Sequence, residues 1–327
     1  MKLYKIMHKP PFFMRASHYM RKNDNPIKSG RNARHAVIIP LMLMQYGQMK
    51  DKIKAGKKFK AHSVSSIKGM IRSAKSLREN PKKGKKQMDS ATLKELENYA
   101  RELGVSQIGY TKVNPNFIFK NFKILYENAM ILTMEMERDA IKTAPSDEAT
   151  GEIWRTYSGL GVIVNKLADF LRERGFNCHP SPAVGGDVCT PPVAQDAGIG
   201  VIGKNGLLIT PEFGPSQRIA AVFIDADNLP VKSIDENPHL WIKDFCETCN
   251  NCIKHCPGKA IRKETQTLID GYPQYIEREK CAPYFSKNCA TCIAECPFIN
   301  GNYDKIKNAF FKKNINYGPE RYSKTAG

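Results

Sequence analysis

The chain has 327 residues, 41% of them hydrophobic, and its 51 Lys+Arg against 32 Asp+Glu give a formal net charge of +19. That apolar content can bury a sizeable core and excludes disorder as a global state, and the length suits about two compact domains. The charge is asymmetric: residues 1–90 hold 23 basic and 4 acidic side chains, whereas the remaining 237 residues hold 28 of each. A basic segment joined to a balanced body speaks to partners more than to fold.

In chain order, residues 1–90 read as a basic N-terminal extension, an arm or a loosely folded cap. Basic runs at 50–60 and 82–86 alternate with turn signals at Asn25-Pro26, Ser29-Gly30 and Asn80-Pro81. The extension is either a solvated surface or a docking face for something acidic. The apolar run 36–44 is broken by Pro40 and is too short to span a bilayer. Neither a secretory leader nor a twin-arginine pair opens the chain, so the expected location is a reducing cytoplasm.

From residue 90 the pattern becomes that of a folded body. Leu93, Leu96, Ala100 and Leu103 recur at helical spacing, with Asp89 or Ser90 as cap and Gly104 as terminator. Strands are expected at 105–110 and, fully buried, at 129–134. A long helix over 153–174 carries the stripe Tyr157, Leu160, Val164, Leu167, Ala168 and Leu171, closed by Gly175. A short helix at 192–197 and strands at 207–209 and 219–224 follow. Helices alternating with short apolar strands predict an α/β or α+β layered domain. Cys178 and Cys189 are expected to be small buried side chains.

The motif Gly198-Ile-Gly200-Val-Ile-Gly203 matches G-x-G-x-x-G. A dinucleotide site needs a strand before it and a helix after it, and here that order is reversed. These glycines therefore read as a tight turn that lets the backbone approach something flat.

Eight of the ten cysteines fall between 246 and 296. They form two blocks, Cys246-x2-Cys249-x2-Cys252-x3-Cys256-Pro257 and Cys281-x7-Cys289-x2-Cys292-x3-Cys296-Pro297. Successive x2 spacings let one loop present three thiolates to a cubane, while the fourth cysteine, before Pro, ligates the other cluster. On that logic Cys246, Cys249, Cys252 and Cys296 hold one [4Fe–4S] cluster. Cys256, Cys281, Cys289 and Cys292 hold the second. Structural zinc prefers paired spacings separated by a long loop and fits these blocks poorly.

With those blocks in place, the segment running Ala197-Gly-Ile-Gly-Val-Ile-Gly-Lys204-Asn-Gly-Leu-Leu-Ile-Thr210-Pro-Glu-Phe-Gly214-Pro resembles the core signature of reductive dehalogenases, AGLG followed by G-R/K-x-G-L-L-I-T-P-E-x-G-P. Glu135-Met-Glu-Arg-Asp-Ala-Ile-Lys-Thr-Ala-Pro145-Ser is similar to the family's EMD…IKTSPS stretch. Thr156-Tyr157-Ser158 with Phe170-Leu-Arg-Glu-Arg-Gly175 is similar to its GYS…FIR-x-LGY stretch, and Lys280-Cys281 with Tyr284-Phe285 fits its cluster block. The resemblance covers about residues 90–300.

It implies a nitroreductase-like α/β domain at 91–240 that binds a base-off corrinoid (cobalamin). A double-[4Fe–4S], ferredoxin-like domain at 241–300 follows, flanked by the basic extension 1–90 and a C-terminal tail 301–327. The turn residues Gly198, Gly200, Gly203, Asn205, Gly206 and Thr210 would lie against the corrinoid. Tyr157 would give the proton and Lys204 would support it, an ammonium beside a phenol stabilising the phenolate left behind.

No D-x-H-x-x-G motif is present and the seven histidines form no cluster in sequence, which fits a corrinoid held without a His ligand and equally fits no corrinoid at all. The expected function is therefore a cytoplasmic corrinoid and iron–sulfur reductase of an organohalide or related small molecule, with reduced ferredoxin or flavodoxin as electron donor and no membrane span. Two alternatives stand beside it: an epoxyqueuosine reductase-like enzyme whose basic extension holds tRNA, and a non-catalytic electron-transfer protein.

Overall fold

The computed structural model describes residues 15–36, 50, 53, 58–267 and 273–313; the apolar run at 37–44 and most of the basic run at 50–60 lie outside them. In chain order the elements are β1 (Ile27–Lys28), α1 (Lys60–Lys75), α2 (Ser90–Glu102), β2 (Gln107–Lys112), β3 (Lys123–Ile124), β4 (Asn128–Glu135), α3 (Arg138–Lys142) and α4 (Asp147–Glu173). After them come β5 (Cys178–Ser181), α5 (Thr190–Asp196), β6 (Val201–Ile202), β7 (Leu208–Ile209) and β8 (Gln217–Ile224). The cysteine segment contains α6 (Trp241–Cys249), α7 (Asn251–Lys254), β9 (Ile261–Thr267), β10 (Pro273–Ile276), α8 (Arg278–Phe285), α9 (Thr291–Ala294) and α10 (Tyr303–Lys313).

A four-stranded antiparallel sheet in the order β2-β4-β8-β5 organises a mixed α/β body. Its side chains alternate between two covered faces. Tyr110, Met130, Leu132, Ala220, Val222 and Ile224 meet the apolar stripe of α4 and the inner side of α2. Ala129, Ile131, Ala221 and Phe223 face α5 and the loop around Ile118 and Ile124. Burial on both sides explains why β4 reads in sequence as an unbroken apolar run rather than an alternating one.

Asp89 caps α2 as its sequence foretells, its Oδ1 accepting from the Thr92 N–H at 2.8 Å. Helix α4 begins six residues earlier than its stripe suggests, because the Ser146 hydroxyl accepts from the Ala149 N–H and Asp147 and Glu148 favour the positive end of the helix dipole. The sheet packs tightly on the glycine turn: a Cβ on Gly109 would stand 2.8 Å from the Ile199 side chain.

The extension is not an arm over its described length. Helix α1 lies along α4, where a Cβ on Gly69 would stand 3.0 Å from the Gly161 carbonyl oxygen. Buried Asn165 fastens the crossing, donating to the carbonyls of Gly69 at 3.0 Å and Gly161 at 2.7 Å. Beyond α1, Lys85 N–H donates to the Gly175 carbonyl at 2.9 Å. Nor is 303–313 a tail: α10 delivers Tyr303 and Phe310 into an aromatic core around Trp241. The physical reason is the same at both ends, since each helix covers surface that the body would otherwise leave wet.

Candidate iron–sulfur and proton-transfer sites

The cysteine segment folds as short helical turns separated by residues that reverse the chain. Helix α6 carries Cys246 and ends at Cys249, and Asn250 then adopts a left-handed conformation with φ 56° before α7 presents Cys252. Asn288, at φ 65°, makes the corresponding reversal ahead of Cys289, and α9 follows with Cys292. Between Cys256 and Cys281 the chain makes the β9–β10 hairpin, which accounts for the long sequence gap between two residues that end close together.

Two sets emerge. Cys246, Cys249, Cys252 and Cys296 line one cavity, together with Lys204, Asn205, Ile209, Phe245 and Phe298. The thiols of Cys256, Cys281, Cys289 and Cys292 are mutual electrostatic neighbours, and Cys252 is close enough to Cys292 to link the two sets. Burial, reinforced by neighbouring thiols, pushes Cys246 and Cys292 up to about 12 and Cys281 up to about 11. Side chains this buried are inert as free thiols. They become thiolates only when positive charge is delivered among them, which is what bound iron does.

Among the described residues no three His, Cys, Asp or Glu side chains converge as a single-ion site. Thiolates on the corners of a cubane stand farther apart than the ligands of one zinc ion, so this donor set fits the larger group. A backbone donor also points at sulfur, the Ala260 N–H donating to Cys256 at 3.3 Å.

The glycine turn connects this segment to the sheet. Asn205, almost fully buried, donates from Nδ2 to the Cys292 carbonyl at 3.1 Å. Gly198 and Gly206 hold φ of 74° and 71°, where a side chain would be strained. Gly200 and Gly203 turn inward: a Cβ on either would meet Ile209, at 2.3 Å from its carbonyl oxygen and 2.5 Å from its side chain respectively. Thr210 is buried and bonded to Gln217, and the aromatic side chain of Tyr275 packs over Gly206. Of the expected cofactor glycines, Gly198 keeps the most open surroundings, with only the Lys232 side chain nearby at 3.6 Å. Cys178 and Cys189 are buried.

Tyr157 sits on α4 against Trp154, and the guanidinium of Arg218 lies 4.9 Å over its ring. Among the described residues no hydrogen-bond partner reaches the buried Arg218 Nε. Lys204 points elsewhere: its ammonium lies 2.7 Å from Glu247 and donates to the Lys263 carbonyl at 3.0 Å. Tyr157 thus meets Arg218, while the described polar contacts of Lys204 lie in the cysteine segment and its hairpin. Sequence reasoning missed Arg218, although an arginine within the apolar strand Gln217–Ile224 was a signal, since charge is seldom placed in a core strand without a task.

No family model matches the chain. It is 30% identical over 210 residues to the tetrachloroethene reductive dehalogenase of Desulfitobacterium hafniense, covering 59% of this chain and 36% of that protein. It is 34% identical over 188 residues to that of Sulfurospirillum multivorans, again covering 36% of the relative. The chain thus spans about a third of the length of these curated relatives. An epoxyqueuosine reductase of Listeria monocytogenes is 28% identical over 265 residues, covering 67% of this chain and 68% of that protein. In fold, the chain matches a solved reductive dehalogenase described as suggesting a mechanism for B12-dependent dehalogenation, with a TM-score of 0.65 and 16% identity over 98% of this chain and 50% of the other. Taken with the motifs at 135–158 and 197–215, the chain is thus similar to reductive dehalogenases and, over two thirds of both chains, to an epoxyqueuosine reductase.

Proposed function

We propose that the chain is a corrinoid- and iron–sulfur-dependent reductase of the dehalogenase type, acting on an organohalide or a related small molecule and drawing electrons from a reduced ferredoxin or flavodoxin. The observation that carries this reading is the division of eight half-buried to buried cysteines into two sets joined to the glycine turn by Asn205. In this reading residues 91–240 form a nitroreductase-like domain and residues 241–300 a ferredoxin-like one. Cys246, Cys249, Cys252 and Cys296 would hold one cluster, and Cys256, Cys281, Cys289 and Cys292 the other. When bound, the clusters would carry single electrons and the corrinoid would supply a strongly reducing cobalt centre.

The chain's own residues handle the proton. Tyr157 Oη is the donor, and Arg218, stacked on the ring, stabilises the phenolate left after transfer, the supporting role that the resemblance gives to Lys204. Gly198, the most open of the turn glycines, keeps the backbone in a conformation that only glycine takes at low cost, as a surface for a flat cofactor requires.

A second reading is favoured by the alignment with the Listeria epoxyqueuosine reductase, which spans two thirds of both chains. There the substrate would be tRNA, and the basic extension would supply phosphate contacts.

Anaerobic reconstitution with iron, sulfide and cobalamin should give two clusters' worth of iron and a stoichiometric base-off corrinoid spectrum. Tyr157→Phe should then lower single-turnover dehalogenation about 100-fold or more while both spectra persist. Full turnover by that variant, or failure to bind cobalamin, overturns the reading. A variant-sensitive activity on modified tRNA but none on organohalides selects the second.

A further inference from the structure

Lys204 is buried, at 9% exposed, and belongs to the cavity that Cys246, Cys249, Cys252 and Cys296 line. Its contacts are with the cysteine segment and its hairpin. The ammonium lies 2.7 Å from Glu247 Oε2, donates to the Lys263 carbonyl at 3.0 Å and reaches Asn250 Oδ1 at 3.5 Å. Glu247 and Asn250 flank Cys249 in the ligand loop, so one side chain fixes that loop and brings a positive charge to it. Glu247, by contrast, is 59% exposed. The pair is therefore uneven: water screens the carboxylate while the ammonium faces the sulfur-lined cavity with little screening.

We propose that Lys204 is a potential-setting residue for the cluster held by Cys246, Cys249, Cys252 and Cys296, with Glu247 as its counterweight. The inference rests on the reading of those cysteines as cluster ligands. One-electron reduction makes the cluster and its thiolates one unit more negative, and the electron comes from the external donor. A buried cation beside the cluster favours that reduced state and raises the potential. The anion that partly neutralises the cation lowers it. The role differs from proton supply, which needs the ammonium at Tyr157, where Arg218 stands instead.

Electrochemical titration of the reconstituted chain, followed by EPR of the reduced clusters, tests this. Lys204→Met should make one cluster harder to reduce by about tenfold in its equilibrium, a fall of about 59 mV for one electron, and leave the other cluster nearly unmoved. Lys204→Arg should stay near the native value. Glu247→Gln should move the same cluster in the opposite direction, by less, because that carboxylate is the exposed partner. A merely structural staple would lose cluster content or shift both variants the same way, and either result, or unchanged potentials with both clusters intact, overturns the proposal. Should Lys204→Met fail to fold, the sign of the Glu247→Gln shift still decides. A native chain that takes up no cubane iron overturns the cluster reading itself, and this inference with it, which is a different result from intact clusters with unmoved potentials.

Discussion

Around the first cysteine set, the groups that matter most individually are buried polar ones. His239 Nδ1 lies 2.7 Å from Tyr303 Oη, and Trp241 Nε1 donates to the same oxygen at 2.9 Å. With the indole donating, the phenol proton is directed to a neutral imidazole. Burial, then the charges of Lys307 and Lys232, hold His239 down to about 4. Because this folded value lies below the ordinary 6.5 of the unfolded chain, the unfolded state takes up a proton first. Stability is therefore lost as pH falls from about 6.5 towards 4, by at most about 3 kcal/mol from this residue. Denaturation midpoints measured at pH 7 and pH 4.5 should show this loss in the native chain, and His239→Gln, which keeps an acceptor without a titrating ring, should flatten it. Equal pH dependence in both proteins would remove His239 as the cause. Residues of this kind were only partly legible: cysteine spacing singles out all eight candidate ligands, whereas the Arg218 that stacks on Tyr157 comes from a distant strand and no local pattern joins them.

At the scale of elements, legibility followed the size of the side chains that make each contact. Helices α2 and α4 bury Leu, Val and Ile stripes, which periodicity reveals. Helix α1 buries Ser66, Gly69, Met70, Ser73 and Ala74, a face of mostly small residues that sequence reads as polar and unstructured. Hairpin β9–β10 was missed because β9 is exposed and charged over most of its length. The small face has a mechanical meaning, since a close helix crossing needs room for backbone against backbone. Gly69→Val should therefore cost at least about 2 kcal/mol in urea-unfolding free energy, despite the better helix propensity of valine over glycine, because the added carbons meet the Gly161 carbonyl and not a movable side chain. The same substitution at Gly161, where a Cβ would first meet Gly69 Cα at 3.9 Å, should cost less. A near-neutral Gly69→Val would show that the helices separate freely.

For the whole molecule the question is the basic extension that gives the chain its net charge of +19. Several of its described charges are turned on the body: Lys58 pairs with Asp147 at 2.5 Å, Arg72 reaches Asp169 at 2.9 Å, and Lys86 bonds Asp225. These pairs are largely exposed and contribute little each. What binds the extension is the α1–α4 crossing, with Asn165 satisfied by groups on both helices, together with the packing of Ala16, Tyr19, Ala74 and Leu77 on Leu125. Removing residues 1–88 would uncover that flank of α4 and leave the Asn165 amide with one partner, a penalty of about 1–3 kcal/mol for the polar group alone before the lost apolar burial is counted. The deletion should therefore lower the urea midpoint of the whole chain, and raising the salt concentration should do far less, because the loss is packing and not charge. Deleting residues 1–57 instead leaves α1 in place and should lower the midpoint less, through loss of β1 and of Ala16 and Tyr19 from their packing on Leu77 and Leu125. If the longer deletion unfolded at the native midpoint, α1 would be a detachable arm and the charge would be free for a partner. If the shorter one stayed folded yet lost affinity for tRNA or slowed reduction by a ferredoxin, the partner would be read by the first 57 residues, and α1 would serve as their anchor on the body.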